Sequence, residues 1–310
     1  MRKKCIIYGG AGFIGSHIAD ILVNHNFSVT IFDKKYCSRK NIEHLADKIT
    51  FIEGDFTNKI DIETSIKDHD YIIHLVSSTI PSDSNLNPFY DVESNLIPSI
   101  HLLNCCLNSK VSRVIFISSG GTVYGNPLSL PVSENHPTNP ITSYGIIKLA
   151  IEKYLGLYNT LYGLDYRILR FANPFGERQN PKISQGLIAH LLYKIKNNNA
   201  IEIWGDGKTV RDFFYIKDGV RAVYLSMIDK SPCKIYNIGM GKGYSINQIL
   251  NKFRKVLGLN FHVKYHAPRK FDVRKNILDI TLAGKYLKWK PETDFNTALI
   301  NTWRHILENE

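Results

Sequence analysis

No stretch of this chain approaches the ~20 consecutive apolar residues that a membrane-spanning helix requires. The N-terminal Met1-Arg2-Lys3-Lys4 is basic, but a glycine turn follows almost at once where a secretory signal would carry its apolar region and cleavage site, so none is expected. Cysteine is scarce: Cys5, Cys37, Cys105, Cys106 and Cys233 are odd in number and show no CxxC spacing. That argues against a disulfide framework and against a structural zinc site. Adjacent Cys105 and Cys106 read as small buried residues of a helix, and the expected compartment is the cytoplasm. The formal net charge is +11, yet no basic run exceeds the triplet Arg2-Lys3-Lys4, and no RNP, zinc-finger or helix-turn-helix signature accompanies it. Nucleic acid and membrane are therefore not expected partners, and the positive balance suits a chain that binds anionic small molecules. Internal repeats and low-complexity segments are also missing; Asn197-Asn198-Asn199 is a loop.

What is present is an ordinary globular composition, 44% hydrophobic over 310 residues, long enough for one large or two closely packed domains. In the first half, short strands rich in Ile, Val, Phe and Tyr are predicted at 4–8, 28–32, 50–53, 71–75, 114–117 and 166–170. Helical stretches fall between them at 14–25, 61–67, 90–108 and 144–162. This alternation predicts an α/β fold, a doubly wound Rossmann-type parallel sheet. Beyond residue 170 the rhythm changes. Residues 173–181 read as a loop, 184–196 as a helix and 296–307 as an amphipathic helix, within a smaller C-terminal substrate-binding domain. The expected division is 1–171 with 214–239 for the dinucleotide-binding domain, and 172–213 with 240–310 for the second.

Two motifs carry the chemistry. Strand 4–8 runs into Gly9-Gly10-Ala11-Gly12-Phe13-Ile14-Gly15 and then into a helix. Gly9, Gly12 and Gly15 form the turn that lets a pyrophosphate approach a helix N-terminus, with Phe13 and Ile14 opening that helix. Asp33 ends the second strand, where a carboxylate binds the adenosine ribose hydroxyls and repels a 2′-phosphate. It favours NAD over NADP, although Lys34, Lys35, Arg39 and Lys40 follow and weaken that exclusion. Asp55, followed by Phe56, stands after the third strand, able to accept from the adenine amino group. The segment His74-Leu75-Val76-Ser77-Ser78 ends the fourth strand with small residues, where backbone passes close to a cofactor. His74 itself reads as a satisfied core histidine. The second motif, Tyr144-Gly145-Ile146-Ile147-Lys148, places a phenol and an ammonium one helical turn apart. Bringing a phenol from its ordinary pKa of about 10 to neutrality costs ~4 kcal/mol. One cation at ~4 Å in an effective dielectric of ~20 returns ~4 kcal/mol. A dinucleotide cradle with such a pair points to hydride chemistry on an alcohol or ketone.

With these residues in place, the chain resembles the extended short-chain dehydrogenase/reductases of the nucleotide-sugar epimerase/dehydratase family, nearest in pattern to the UDP-glucose 4-epimerases. Further markers are Asn95, the turn Ser118-Ser119-Gly120-Gly121-Thr122-Val123-Tyr124-Gly125, Arg170-Phe171-Ala172-Asn173-Pro174, Gly205-Asp206-Gly207, Arg211-Asp212-Phe213 and Arg269 with Asp272. The resemblance covers essentially the whole chain. It implies that Asn95 and Ser118 line the cofactor site and that Asn173, Arg211 and Arg269 contact a nucleotide diphosphate, a role that suits the bidentate guanidinium. It implies further that Asp272 and Asn276 belong to the sugar site, that Asn276 admits bulk near sugar carbon 2, and that the protein is a homodimer.

One departure stands out. The family's 4-epimerases place a Ser or Thr hydroxyl beside the sugar oxygen at the position of Gly120 here. Ser118, Ser119, Thr122 or a water could replace it, and Thr122 is the preferred substitute. The leading expectation is an NAD-dependent nucleotide-sugar 4-epimerase acting by transient oxidation at sugar carbon 4. A reductase of a dTDP-4-keto-6-deoxyhexose, forming dTDP-fucose, is the alternative. A dinucleotide-sensing, non-catalytic regulator is the alternative from another class, disfavoured by the Tyr144/Lys148 pair. A 4,6-dehydratase is disfavoured because Gly121-Thr122 stand where that branch carries Asp-Glu.

Overall fold

A computed structural model describes residues 2–79, 84–183, 186–267 and 273–309. Two compact units emerge. The first comprises Met1–Gly125, Pro137–Arg170 and Val220–Tyr236, and the second Asn126–His136, Phe171–Gly219 and Asn237–Glu310.

The first unit is built on strands β1 (Lys4–Tyr8), β2 (Ser28–Asp33), β3 (Ile49–Glu53), β4 (Tyr71–His74), β5 (Arg113–Ser119) and β6 (Tyr166–Phe171). With β10 (Ile235–Ile238) they form a seven-stranded sheet in the order β10-β6-β5-β4-β1-β2-β3. The pairs β1/β2, β2/β3, β1/β4 and β4/β5 are parallel. Ile6, Ile72 and Ile115 are fully buried, as expected of strands covered on both faces. Strand order reverses between β1 and β4, where Tyr8 lies opposite His74. The crevice beyond the strand ends at this switch point is where such sheets bind ligands.

The helices of this unit are α1 (Phe13–Asn24), α2 (Lys59–Ser65), α3 (Pro88–Asp91), α4 (Ile97–Leu107) and α5 (Ser143–Tyr162). The stretch predicted as one helix over 90–108 is interrupted: a π-helical turn, Val92–Leu96, separates α3 from α4. Helix α5 has an unambiguous start and stop. Thr142 caps its N-terminus by accepting from the Gly145 N–H, and Gly163 ends it in the left-handed conformation at φ 72°.

The second unit holds β7 (Asn173–Phe175), β8 (Ile201–Trp204), β9 (Val210–Tyr215), β11 (Gly243–Ser245), β12 (Val263–His266) and β13 (Lys275–Asn276). Its helices are α6 (Leu187–Lys196), α8 (Ile246–Leu257) and α9 (Phe295–Asn309), and α7 (Ile216–Ile228) begins in it directly after β9. Residues 173–181, expected to be a loop throughout, start with β7 because Asn173–Phe175 pairs in parallel with Phe213–Tyr215 of β9. Segment 126–136, grouped by sequence with the first domain, belongs to the second unit. There the Val132 N–H donates to the Ile277 carbonyl at 2.8 Å and the Val132 carbonyl accepts from Asp279 at 2.8 Å. Among the described residues no helix is long and apolar enough to cross a membrane.

Candidate functional site

The glycine turn sits at the switch point. The Gly9 N–H donates to the Phe32 carbonyl at 2.9 Å, closing the turn onto β2. A Cβ at Gly15 would lie 2.6 Å from both Gly10 Cα and the Gly9 carbonyl oxygen, so only glycine lets α1 press this closely on the turn. Gly12, the N-cap of α1, offers no capping side chain, and the first-turn N–H groups of Phe13, Ile14 and Gly15 belong to a helix end open to an anion. Asp33 stands beside this turn with its carboxylate fixed: Oδ2 accepts from the Ala11 N–H at 3.0 Å and Oδ1 from the Lys34 N–H at 2.9 Å. Of the basic residues beyond it, Arg39 is engaged elsewhere. It pairs with Glu53 at 2.5 Å and stacks on Phe51 at 3.9 Å. A narrow glycine turn, an open helix end and an anchored carboxylate beside them together fit a dinucleotide with free ribose hydroxyls.

The surrounding residues divide by what their polar groups already touch. Asp55 is exposed and Oδ1 accepts from Thr57 N and Oγ1, both at 2.8 Å. The Phe56 ring is buried, 5.6 Å from Tyr8 and 5.1 Å from His74. The Leu75 N–H donates to the Tyr8 carbonyl at 3.0 Å, placing this backbone against the turn. Asn95 is 4% exposed and spends its amide internally: Oδ1 accepts from the Ser78 N–H at 2.8 Å and Nδ2 donates to Asp91 Oδ1 at 3.0 Å. It thereby shapes the loop after β4. His74 is a core residue. Ser99 Oγ gives its proton to the Asn95 carbonyl, so His74 Nε2 donates to Ser99 at 2.8 Å and Nδ1 keeps a bare lone pair. Burial, with Lys148 nearby, lowers the His74 pKa to about 3.

Tyr144 and Lys148 occupy the first two turns of α5. The Tyr144 N–H donates to Ser84 Oγ at 3.1 Å, and Lys148 Nζ donates to the Ile117 carbonyl of β5 at 3.2 Å. Lys148 is 5% exposed and its Nζ lies 5.7 Å from the centre of the Tyr144 ring. Burial lowers the lysine pKa to about 8, against the pull of Asp91 and Glu152. Burial and Asp91 push the Tyr144 phenol up to about 12. The lysine nearly suffices to ionise the phenol only before burial is counted, and burial is the largest cause of the upward shift. Desolvation and a neighbouring carboxylate outweigh the lysine, and the remaining drive falls to the α5 N-terminus and to a cationic ligand.

Ser118, a candidate for the missing hydroxyl, is committed: its Oγ donates to Glu152 Oε1 at 2.5 Å. Glu152 in turn pairs with Arg170 at 2.6 Å, and Arg170 Nη1 donates to Tyr124 Oη at 2.9 Å. This buried network clamps both ends of the 118–125 turn. Sequence reasoning missed Glu152, although Tyr144, Lys148 and Glu152 recur every four residues along one helix face. Thr122 differs from Ser118. Its Oγ1 is buried without a hydrogen-bond partner among the described residues, and its Cβ would lie 3.2 Å from a Cβ at Gly145, the residue after Tyr144.

In the second unit, Arg211 of β9 lies in register with Asn276 of β13 on one side and Tyr244 of β11 on the other. Asn276 is 1% exposed. Asn173 Nδ2 donates to the Asp212 carbonyl at 2.9 Å. Asp212 is fully buried, and its carboxylate accepts from the N–H groups of Met240 at 2.7 Å and Gly241 at 3.1 Å, locking β9 to the segment after β10. Burial lifts its pKa to about 6. Arg269 and Asp272 lie outside the described residues.

The sheet order, the glycine turn, the acid ending β2 and the Tyr144–Lys148 pair define a dinucleotide-dependent enzyme of the short-chain dehydrogenase/reductase type. The model of the NAD dependent epimerase/dehydratase family matches residues 5–239, and the chain belongs to that family. Among solved structures it is similar to the UDP-glucose 4-epimerase of Thermotoga maritima with UDP-glucose: 33% identity, 98% of this chain and 99% of that one covered, TM-score 0.93. A UDP-N-acetylglucosamine 4-epimerase from Methanobrevibacter ruminantium, in complex with UDP-N-acetylmuramic acid, aligns at 31% identity over 100% and 99% of the chains with a TM-score of 0.94. The UDP-glucose 4-epimerase of Thermus thermophilus in complex with NAD aligns at 28% identity over 99% and 100%, TM-score 0.91.

Proposed function

We propose that this chain is an NAD-dependent UDP-hexose 4-epimerase, and that Tyr144 moves the proton of the sugar's 4-hydroxyl. The observation that carries the reading is the Tyr144–Lys148 pair at the head of α5, beside a turn whose Gly120, Gly121 and Thr122 supply no carboxylate for proton removal at a neighbouring carbon. NAD, when bound, supplies the hydride acceptor and a positive charge near the phenol. The first-turn N–H groups of α1 and residues Gly9 to Gly15 hold its pyrophosphate, and Asp33 its adenosine ribose. Phe13, Ile14, Leu75 and the loop shaped by Asn95 border it, with Asp55 and Phe56 toward the adenine.

As phenolate, Tyr144 accepts the hydroxyl proton at Oη and returns it once the sugar has presented its other face. Lys148 lowers the cost of that phenolate, and the positive end of α5 adds to it. Thr122 Oγ1 takes the part of the family's turn hydroxyl and orients the sugar oxygen. Its buried, unpartnered state supports this, since leaving such a group unmade costs roughly 1–3 kcal/mol. Asn173 and Arg211 bind the nucleotide diphosphate together with Arg269, and Asp272 and Asn276 belong to the sugar side. The five free thiols support a reducing compartment, the cytoplasm. Exposed Ile97 of α4 and Leu157, Leu161 and Tyr162 of α5 support a homodimer that covers them.

The test is to denature the purified protein, identify any released dinucleotide, and assay UDP-glucose for its 4-epimer. Tightly held NAD and epimer formed without net consumption of NAD(P)H are expected. Tyr144→Phe should keep fold and dinucleotide while turnover falls ~100- to 10,000-fold. Activity within tenfold of wild type, or steady NADPH consumption, would overturn the reading.

A further inference from the structure

Asp91, the last residue of α3, is 1% exposed, yet no ion pair among the described residues includes it. Three uncharged donors surround its carboxylate instead. Thr79 Oγ1 donates to Oδ1 at 2.6 Å, Asn95 Nδ2 donates to Oδ1 at 3.0 Å, and Ser143 Oγ donates to Oδ2 at 2.6 Å. Each comes from a different part of the first unit: the loop after β4, the π-helical turn and the first residue of α5. The two hydroxyl bonds have the short length of charge-assisted ones. A buried carboxylate with no cation in direct contact is expensive to keep, and three converging donors help to make it tolerable.

The sequence position of Ser143 gives this cluster its meaning. It immediately precedes Tyr144, and the Tyr144 N–H is itself held by Ser84 Oγ at 3.1 Å, while the Ser143 N–H donates to Asn85 Oδ1 at 2.8 Å. The first turn of α5 is thus tied to Ser84, Asn85 and Asp91 through three separate bonds, of which only the Asp91 bond involves a carboxylate. We propose that Asp91 is a positioning residue for the Tyr144–Lys148 pair. Its carboxylate pins the start of α5 to the loop after β4 and sets a negative charge beside the helical turn that carries the phenol.

The inference rests on the epimerase reading for its kinetic consequences, but its electrostatic half can be read in the ligand-free chain. Asp91 is the charged group that raises the Tyr144 phenol, and Lys148 Nζ lies 5.7 Å from the centre of its ring. Lys148 is faced in turn by Glu152, which is paired with Arg170, and by His74, which is neutral above about pH 3. Removing the Asp91 charge therefore favours the phenolate, and Tyr144 should ionise at lower pH.

The experiment uses two variants of the full chain. In Asp91→Asn the charge is lost, and an amide cannot accept from all three donors in their present places. In Ser143→Ala the charge stays and the tether to α5 is cut. Alkaline titration by ultraviolet absorbance, taken as the difference between each protein and its Tyr144→Phe counterpart, reads the Tyr144 phenol alone. The phenolate should appear about 1 to 2 pH lower in Asp91→Asn and at the wild-type pH in Ser143→Ala. The kcat for UDP-glucose should fall about tenfold or more in both, with KM little changed and melting temperature within a few degrees. An unmoved titration in a folded Asp91→Asn overturns the electrostatic role, and wild-type kcat in a folded Ser143→Ala overturns the tether. If Asp91→Asn fails to fold, Ser143→Ala still decides the tether. Wild-type protein inactive on UDP-sugars sinks the epimerase reading while leaving the titration result to stand.

Discussion

At the scale of single residues, the site is dominated by the cost of keeping charge out of water. Burial moves the Tyr144 and Lys148 ionisations toward the neutral forms, the phenol to about 12 and the ammonium to about 8. For Lys148 the unfolded chain holds its proton to about pH 10.5 while the folded chain releases it near 8. Between those values the unfolded state binds more protons, so this group makes stability rise with pH. Below about pH 8 the buried ammonium costs the fold roughly 3 kcal/mol. Lys148→Met should be inactive yet more stable than wild type at pH 7, less about 1 kcal/mol for the orphaned Ile117 carbonyl. That margin should narrow by about 2 kcal/mol at pH 9.5. Urea melts at the two pH values check this, and a margin that ignores pH would contradict it.

Asp33 is the second residue whose role can be isolated. In the proposed role its charge repels a 2′-phosphate, and replacing it with Ser would remove that charge and loosen the bond to the Ala11 N–H. NAD affinity should drop about tenfold and NADP affinity should rise, with Lys34 and Lys35 drawing the extra phosphate. Direct titration of both dinucleotides measures the change. The positions of both, on the helix that begins at Ser143 and at the end of β2, were legible in the sequence. The fate of the hydroxyls was not. Thr122 is preferred over Ser118 in sequence, but nothing there shows that Ser118 is taken, which only its bond to the Arg170-paired Glu152 reveals. Asp91 left no motif at all, since its donors come from residues up to 52 positions away.

Among the elements, α5 fits tightly against the turn that carries Thr122. A Cβ at Gly145 would stand 2.9 Å from Pro140 Cβ and 3.1 Å from the Thr122 carbonyl oxygen. Gly145→Ala should gain up to about 1 kcal/mol of helix propensity yet displace the first turn of α5. Turnover is expected to fall at least about tenfold while the melting temperature changes little. Activity equal to wild type would show that the turn yields without moving Tyr144. Strand 4–8 and the helix near 144–162 were legible because apolar runs, the Thr142 cap and Gly163 mark them locally. The π-helical turn at Val92–Leu96 has no local signature, and β7 exists only through its pairing with β9. Helix α8 did leave a signal that went unread: Ser245 and Gln248 form a reciprocal capping box at its start.

For the molecule as a whole, the α/β architecture was readable from the alternation of strand and helix. The assignment of 126–136 was not, because it depends on backbone bonds to Ile277 and Asp279, about 150 residues away. The central claim concerns the entire catalytic cycle: hydride leaves sugar carbon 4 and returns to the same carbon, with Tyr144 handling the proton. The most direct measurement is to incubate the purified protein with UDP-glucose deuterated at carbon 4 and examine the 4-epimer by mass spectrometry and NMR. The account predicts that the deuterium stays at carbon 4 of the product, with no label in the solvent and no external reductant required. Label released to water, or carried away on free dinucleotide, would contradict it.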